Sequence, residues 1–357
     1  MDDAALAAGA SRFASLKLYF LTISTPIGVL SSFESVKLED IFLGSYVVPT
    51  GFITHTFCSK HLTGKDSPES PVRTSAVEEQ LMASGLGYAF ERIEDTYQAS
   101  EADIMRAHAA DYLQRIKDVI PKKLGETAQI CADTILSHHS LEAALSSAGC
   151  VIDATKRVLS KQLGNAFCCV RPPGHHAGRH GGSGFCIFNN IAIAALYALD
   201  VLKVARIAIV DFDAHHGDGT EDILKNRSNI QLFSLFQEGI FPHVGKESTA
   251  SNAHNDPLQA GDTGERACQV IREKWIPAIR EFKPDLIFVA AGFDAHTDEV
   301  MADLDFSEID YASITRLIVS VAQEVCDGRI VSVLEGGYNP RSLARSVMAH
   351  IRTLAHV

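Results

Sequence analysis

The sequence predicts an α/β protein: a single three-layer α/β/α domain on a mainly parallel central sheet. Three observations carry this. From about Asn165 onward, short apolar β-branched runs alternate with longer amphipathic stretches. The short runs are apolar throughout rather than at every second residue, as in strands covered on both faces. Residues able to do chemistry gather immediately after these runs, where an open parallel sheet forms its ligand crevice.

Taken in chain order, Asn165–Arg171, Arg206–Asp213, Ile230–Phe236, Asp285–Ala291 and Arg329–Glu335 are the candidate strands. Helices are expected at Glu101–Ile120 and Ser140–Gln162. Asn189-Asn190 can cap a helix over Ile191–Leu202, whose nearly all-round apolarity predicts deep packing. Thr263–Phe282 reads as a helix bent at Pro277. Ser307 and Asp310 have the spacing of a capping box ahead of Tyr311–Cys326, and Arg341–Ala355 reads as the last helix. No linker or internal repeat is visible, so residues 46–357 are expected to form one domain. Residues 1–45 fit the alternation least well and form an N-terminal extension with no assigned role.

Composition narrows the function. With 32 basic and 44 acidic side chains the net charge is −12, which argues against direct binding to nucleic acid or anionic membrane. Eight cysteines, placed in apolar runs such as Phe167-Cys168-Cys169-Val170, point to reduced thiols rather than a disulfide scaffold. No C-x-x-C pair suggests a thiolate zinc site. The stretch from Leu16 to Leu30 is interrupted by Thr22, Ser24, Thr25 and Pro26, so no membrane span is expected. The acidic start Met1-Asp2-Asp3 is wrong for a secretory signal. An intracellular, cytoplasmic or nuclear setting is expected. Arg12 and Lys17 among Ser and Ala keep an organelle-targeting reading open, and self-association is left open too.

Four segments carry the chemistry. Arg171-Pro172-Pro173-Gly174-His175-His176 sets two imidazoles on a rigid turn after a strand; alone, such a pair is ordinarily just solvated. Asp211-Phe212-Asp213-Ala214-His215-His216-Gly217-Asp218 packs three aspartates and two histidines beside an apolar strand, where charges need partners. Strand alternation turns Asp211, Asp213 and His215 to one side. Asp213 and His215 suit a divalent metal of mixed N/O preference, zinc above all, leaving Asp211 and Asp218 to orient imidazoles. In Gly292-Phe293-Asp294, the aspartate either supplies a third ligand or caps the following helix. In Glu335-Gly336-Gly337-Tyr338, the glycines let the backbone approach a ligand, and Tyr338 either reaches over the crevice or simply packs.

In combination, the phrases RPPGHHA, DFDAHHGDGT, GFDAH and EGGY resemble the zinc-dependent histone deacetylase and acetylpolyamine amidohydrolase superfamily, in its class II-like branch. The likeness runs over roughly residues 46 to 355 and implies the arginase–deacetylase fold. His61, Thr63-Gly64 and Pro68 to Arg73 resemble the family's N-terminal motif, with Ser67 where the family usually has His. By this resemblance Asp213, His215 and Asp294 are ligands of one Zn2+ per chain. His176 is the general base and acid, partnered by Asp218. His175 is its tuning neighbour, partnered by Asp211. Tyr338 polarises the substrate carbonyl. Phe185, after Gly184, and Phe241 match the aromatic walls of an acyl-lysine tunnel. Gly337 belongs to the substrate-binding turn, Met301 to the gatekeeper position, and Arg73 to the arginine of an internal channel. A structural K+ beside Asp211, Asp213 and Ser234 is also implied. The implied activity is hydrolysis of N6-acetyl-lysine in a histone or other protein or peptide. Met301 lacks the charge that would favour a polyamine. An acetylpolyamine amidohydrolase and a non-catalytic acyl-lysine binder are the alternatives; an arginase-type dimetal enzyme would need further ligands.

Overall fold

The computed structural model describes residues 48–248 and 250–357. The N-terminal extension and the Leu16 to Leu30 stretch lie outside them. The strands, in chain order, are β1 Thr50–Thr54, β2 Phe90–Glu94, the short β3 Thr127–Gln129 and β4 Ile135–Ser137, β5 Asn165–Cys168, β6 Ile207–Asp211, β7 Ile230–Gln237, β8 Ala253–Leu258, β9 Leu286–Ala291 and β10 Ile330–Leu334. Eight of them form one sheet in the order β2-β1-β5-β10-β9-β6-β7-β8, with β3 and β4 paired separately. All seven pairings of the large sheet are parallel.

The alternation of side chains divides the core in two. Phe52, Val210, Val289 and Trp275 belong to one apolar cluster, while Ile53, Ile209, Phe288 and Ile191 belong to the other. Neighbouring residues of one strand thus face opposite helical layers, which is why the strands read as unbroken apolar runs. The sheet is the middle layer of the expected three.

Five strands lie where the apolar runs put them. Three of the large sheet were not legible. β1 is five residues long, β2 reads FERIE with only its first residue buried, and β8 reads AHNDPL. β2 and β8 are the two edge strands, so polar residues and Pro257 are tolerated there.

The helices follow their caps. Asn189 accepts the Ala192 amide at 2.9 Å and starts Asn190–Asp200. Ser307 and Asp310 form the capping box of Glu308–Cys326. One expectation needs correcting. Glu101–Ile120 is two helices, Glu101–Ala107 and Ala110–Val119, because His108 turns extended, with ψ of 151°. Its ring instead donates from Nδ1 to the Gly178 carbonyl and accepts the Asn189 amide at Nε2, both at 2.9 Å. The expected helix over Thr263–Phe282 runs without a break from Gly264 to Phe282, with a π turn, Ile271–Trp275, just ahead of Pro277. Among the described residues no helix is long and apolar enough to cross a membrane.

A buried ion cluster locks the loop after β1 beneath the sheet's carboxyl end. Arg171 grips Glu69 with two bonds, at 2.8 and 2.7 Å, and donates to the His61 carbonyl at 2.7 Å. Arg73 approaches the same carboxylate at 3.4 Å. Ser67, the departure from the family motif, donates to the Glu69 carbonyl at 3.2 Å. Burial opposes charge on Glu69, but Arg171 overcomes it and holds the carboxyl at about 2.

Burial lowers three imidazoles: His61 and His108 to about 4, and His350 to about 3. An unfolded chain protonates them near 6.5, so it binds protons that the folded chain refuses. Their stability contribution is complete above that pH and is lost as the pH falls from 6.5 toward 4. Urea unfolding at about pH 5 should give a free energy lower than at about pH 7, by roughly 1–2 kcal/mol for each imidazole. Equal stability at the two pH values would mean these rings are not buried and neutral.

Candidate active site

β5, β10, β9 and β6 are consecutive neighbours in the sheet, and each ends in one of the four polar segments. Their carboxyl ends therefore open side by side. The loop after β6 carries Asp213 and His215; the loop after β9 carries Asp294. One ligating atom from each lies within 4.8 Å of the other two, and all three residues are buried. His215 Nδ1 is 3.1 Å from Asp213 Oδ1 and 2.9 Å from Asp294 Oδ2. Backbone amides aim the carboxylates: Gly336 donates to Asp213 Oδ2 at 2.8 Å, and Ala214 donates to Asp294 Oδ1 at 2.9 Å. Asp294 is thus bound to the neighbouring strand's loop, and does not cap the next helix.

The donor set suits a cation. Burial and the Asp213 charge raise the Asp294 carboxyl to about 6. His215 is pushed down by burial, yet Asp294 and Asp213 outweigh this and raise it to about 10. Two desolvated carboxylates around one imidazole form a mixed N/O set of the kind that holds zinc.

The tandem imidazoles stand beside this set with centroids 4.0 Å apart. His175 Nδ1 meets Asp211 Oδ2 at 3.1 Å, and His176 Nδ1 meets Asp218 Oδ1 at 2.7 Å. Their charges diverge. Burial disfavours the cation on His175, but Asp213 and Asp211 raise its pKa well above the ordinary range. Burial, and then the His175 charge, lower His176 to about 4. The two imidazoles, each tied to its own carboxylate, are thus tuned apart.

Tyr338 follows β10. Desolvation and the Asp294 and Asp213 carboxylates raise its pKa well above 10, against the pull of Arg73, so the phenol keeps its proton. The Arg73 guanidinium lies 4.8 Å from the ring centroid, and its Nε donates to the Gly337 carbonyl at 2.6 Å. Phe185 stands edge-on to Tyr338 at 5.5 Å, and Phe241 edge-on to His176 at 4.9 Å. Gly184 must lack a side chain: φ is +54°, and a Cβ would strike the His176 ring. Phe185 itself has φ of 67°, a strained value for a bulky residue. Met301 sits partly exposed on the segment between β9 and Glu308–Cys326. A cavity of about 560 Å³, lined in part by Phe241, reaches His216 and Asp218.

Several residues that hold the site were invisible as site residues in sequence. Asp133 accepts the Gly184 amide at 3.1 and 3.2 Å, and Thr134 accepts the Phe185 amide at 3.1 Å. Nothing in Cys131-Ala132-Asp133-Thr134 marks this role. Glu335 Oε2 accepts the Gly174 and His175 amides at 2.7 and 3.1 Å. It stood in a quoted motif, but only three dimensions reveal what it holds. His216 bridges Ser234 at 3.0 Å and Glu221 at 3.1 Å.

Residues 67–354 match the histone deacetylase domain family, so the chain belongs to the histone deacetylase family. It is 36% identical to a "Probable deacetylase" of Archaeoglobus fulgidus over 81% of this chain and 81% of that one. It is 32% identical to "Type-2 histone deacetylase 2" of Dictyostelium discoideum over 85% of this chain, which spans only 20% of that protein's length. The crystal structure of the "HDA15 HD domain" superposes with a TM-score of 0.79 at 26% identity, covering 86% of this chain and 88% of that one. The likeness confirms the expected arginase–deacetylase architecture.

Gly336 packs against two of the three candidate ligands at once. A Cβ there would meet Asp213 Oδ2 at 2.5 Å and press on Asp294 Oδ2. Gly336→Ala should therefore cut metal content by at least about tenfold while circular dichroism stays near wild type. Full metal occupancy in that variant would show that the two carboxylates are not confined as described.

Proposed function

We propose that the chain is a zinc-dependent deacetylase that hydrolyses the acetyl amide of N6-acetyl-lysine in proteins or peptides, giving lysine and acetate. One observation carries the proposal: an Asp-His-Asp ligand set converges beside two adjacent imidazoles, each bonded to its own carboxylate, and the Tyr338 phenol. Asp213, His215 and Asp294 are the residues that would hold zinc. What zinc supplies when bound there is a Lewis acid, which polarises an amide carbonyl and acidifies a water.

The chain's own groups do the rest. His176 has its Nδ1 tied to Asp218. Its Nε2 is the free basic nitrogen, and takes the proton of the attacking water. Tyr338 donates its hydroxyl to the oxygen on which negative charge develops. His175, pinned by Asp211 and 4.0 Å from His176 between ring centroids, disfavours a standing charge on it. His176 then returns that proton to the leaving amine. Phe185 and Phe241 offer aromatic surface to the methylene stem of lysine and keep water away. A structural potassium beside Asp211, Asp213 and Ser234 accompanies this reading.

A peptide is favoured over a polyamine because Met301 carries no charge and the neighbouring Glu299 is buried and occupied by backbone amides. The relatives' names point to deacetylation, and Tyr338 speaks against a binder that has lost its chemistry.

Purified protein should turn over acetyl-lysine peptides faster than acetylputrescine or acetylspermidine, and a chelator should abolish this. The reverse preference would make it a small-molecule amidohydrolase; no turnover of any amide would leave the binder. Tyr338→Phe should retain zinc and lower kcat by roughly 10²–10³. An unchanged kcat would remove Tyr338 from the oxyanion role. His176→Ala should abolish turnover while a hydroxamate still binds, and surviving hydrolysis would strip His176 of its part.

A further inference from the structure

Tyr338 can meet a developing oxyanion only if its backbone keeps one position. Yet the turn that carries it, Gly336-Gly337-Tyr338-Asn339, begins with two glycines. We propose that Glu299 is a positioning residue that fixes this turn and ties it to the segment that bears Met301. The inference deepens the deacetylase reading and rests on it.

Glu299 lies on the segment between β9 and Glu308–Cys326, two residues before Met301, and is only 8% exposed. Its Oε2 accepts two consecutive amides, Tyr338 N–H at 2.6 Å and Asn339 N–H at 3.1 Å. Its Oε1 accepts the amide of Val300 at 3.2 Å. The two clamped amides stand just ahead of the helix Pro340–Leu354, where the helix dipole also favours a negative charge. Arg73 holds the same turn from its other side, through the carbonyls of Gly337 and Glu335. The turn is therefore gripped by an anion on its donors and a cation on its acceptors.

A second set of bonds repeats the joint. Asn339 Nδ2 donates to the Asp298 carbonyl at 3.1 Å. Arg345, one turn into the helix, reaches Asp298 Oδ2 at 3.1 Å and also Glu308. The segment that bears Met301 and the turn that bears Tyr338 are thus one mechanical unit. A hydroxyl displaced by about 1 Å loses on the order of 10²-fold in rate.

The test uses the full-length protein in three arms. In the first, Glu299→Ala should lower kcat by roughly 10–100-fold, with KM and metal content nearly unchanged, and Glu299→Gln, which keeps a carbonyl oxygen, should recover most of it. In the second, Glu299→Ala added to Tyr338→Phe should cost less than about threefold more, because the clamp acts through the phenol. In the third, the Tyr338 and Asn339 amides should exchange hydrogen at least about tenfold faster in Glu299→Ala, while those of β10 stay protected. The exchange arm reads the clamp whether or not a peptide is turned over, so a failed deacetylase reading is told apart from a failed clamp. Unchanged exchange at those two amides overturns the proposal. So does full additivity with Tyr338→Phe, or a loss expressed in KM alone.

Discussion

Desolvated negative charge at the carboxyl end of the sheet governs the rest of this molecule. Asp211, Asp213, Asp294 and Glu335 are all buried there, at the ends of three neighbouring strands, β6, β9 and β10. A carboxylate out of water without partners costs several kcal/mol, so each must be answered locally. The answers come from across the crevice. Gly336 from β10 serves Asp213 from β6; Ala214 from β6 serves Asp294 from β9; Gly174 and His175 after β5 serve Glu335 after β10. Register and chemistry are therefore one constraint. If a strand slipped by one residue, it would withdraw its amides from a neighbour's carboxylate and turn its own polar group away.

The same logic joins distant parts of the chain. Arg73 and Arg171 share the Glu69 carboxylate, and Arg73 continues to the carbonyls of the turn that bears Tyr338. Residues separated by more than 260 positions are thereby held together without water between them. Guanidinium suits this place, because its planar fork satisfies a carboxylate and a carbonyl at once and stays charged when buried.

Legibility in the sequence tracked unbroken apolar composition, and β1, TGFIT, went unread although it is buried throughout. β5, β6, β7, β9 and β10 were readable as apolar runs because both of their faces are covered. The edge strands β2 and β8 were not, since one margin faces solvent and their composition resembles loops. The helix break at His108 was hidden for another reason: the residue leaves the helix for partners at Gly178 and Asn189, far along the chain. In the site, dense motifs exposed the residues that would touch metal and substrate. Asp133, Glu299 and Glu335 stayed concealed because they act on backbone amides. Amides have no sequence signature, so any acid near a turn looks the same as one that clamps it.

The order of the strands has a further consequence. The four site-bearing strands occupy the middle of the sheet, with β2-β1 on one flank and β7-β8 on the other. Proteins breathe first at their margins. Here such fraying would have to unzip two strands from either side before the crevice felt it, so thermal wear at the borders is buffered from the reaction centre. Evolution can accordingly remodel the borders, lengthen them or fasten other modules to them, and leave the chemistry in its place.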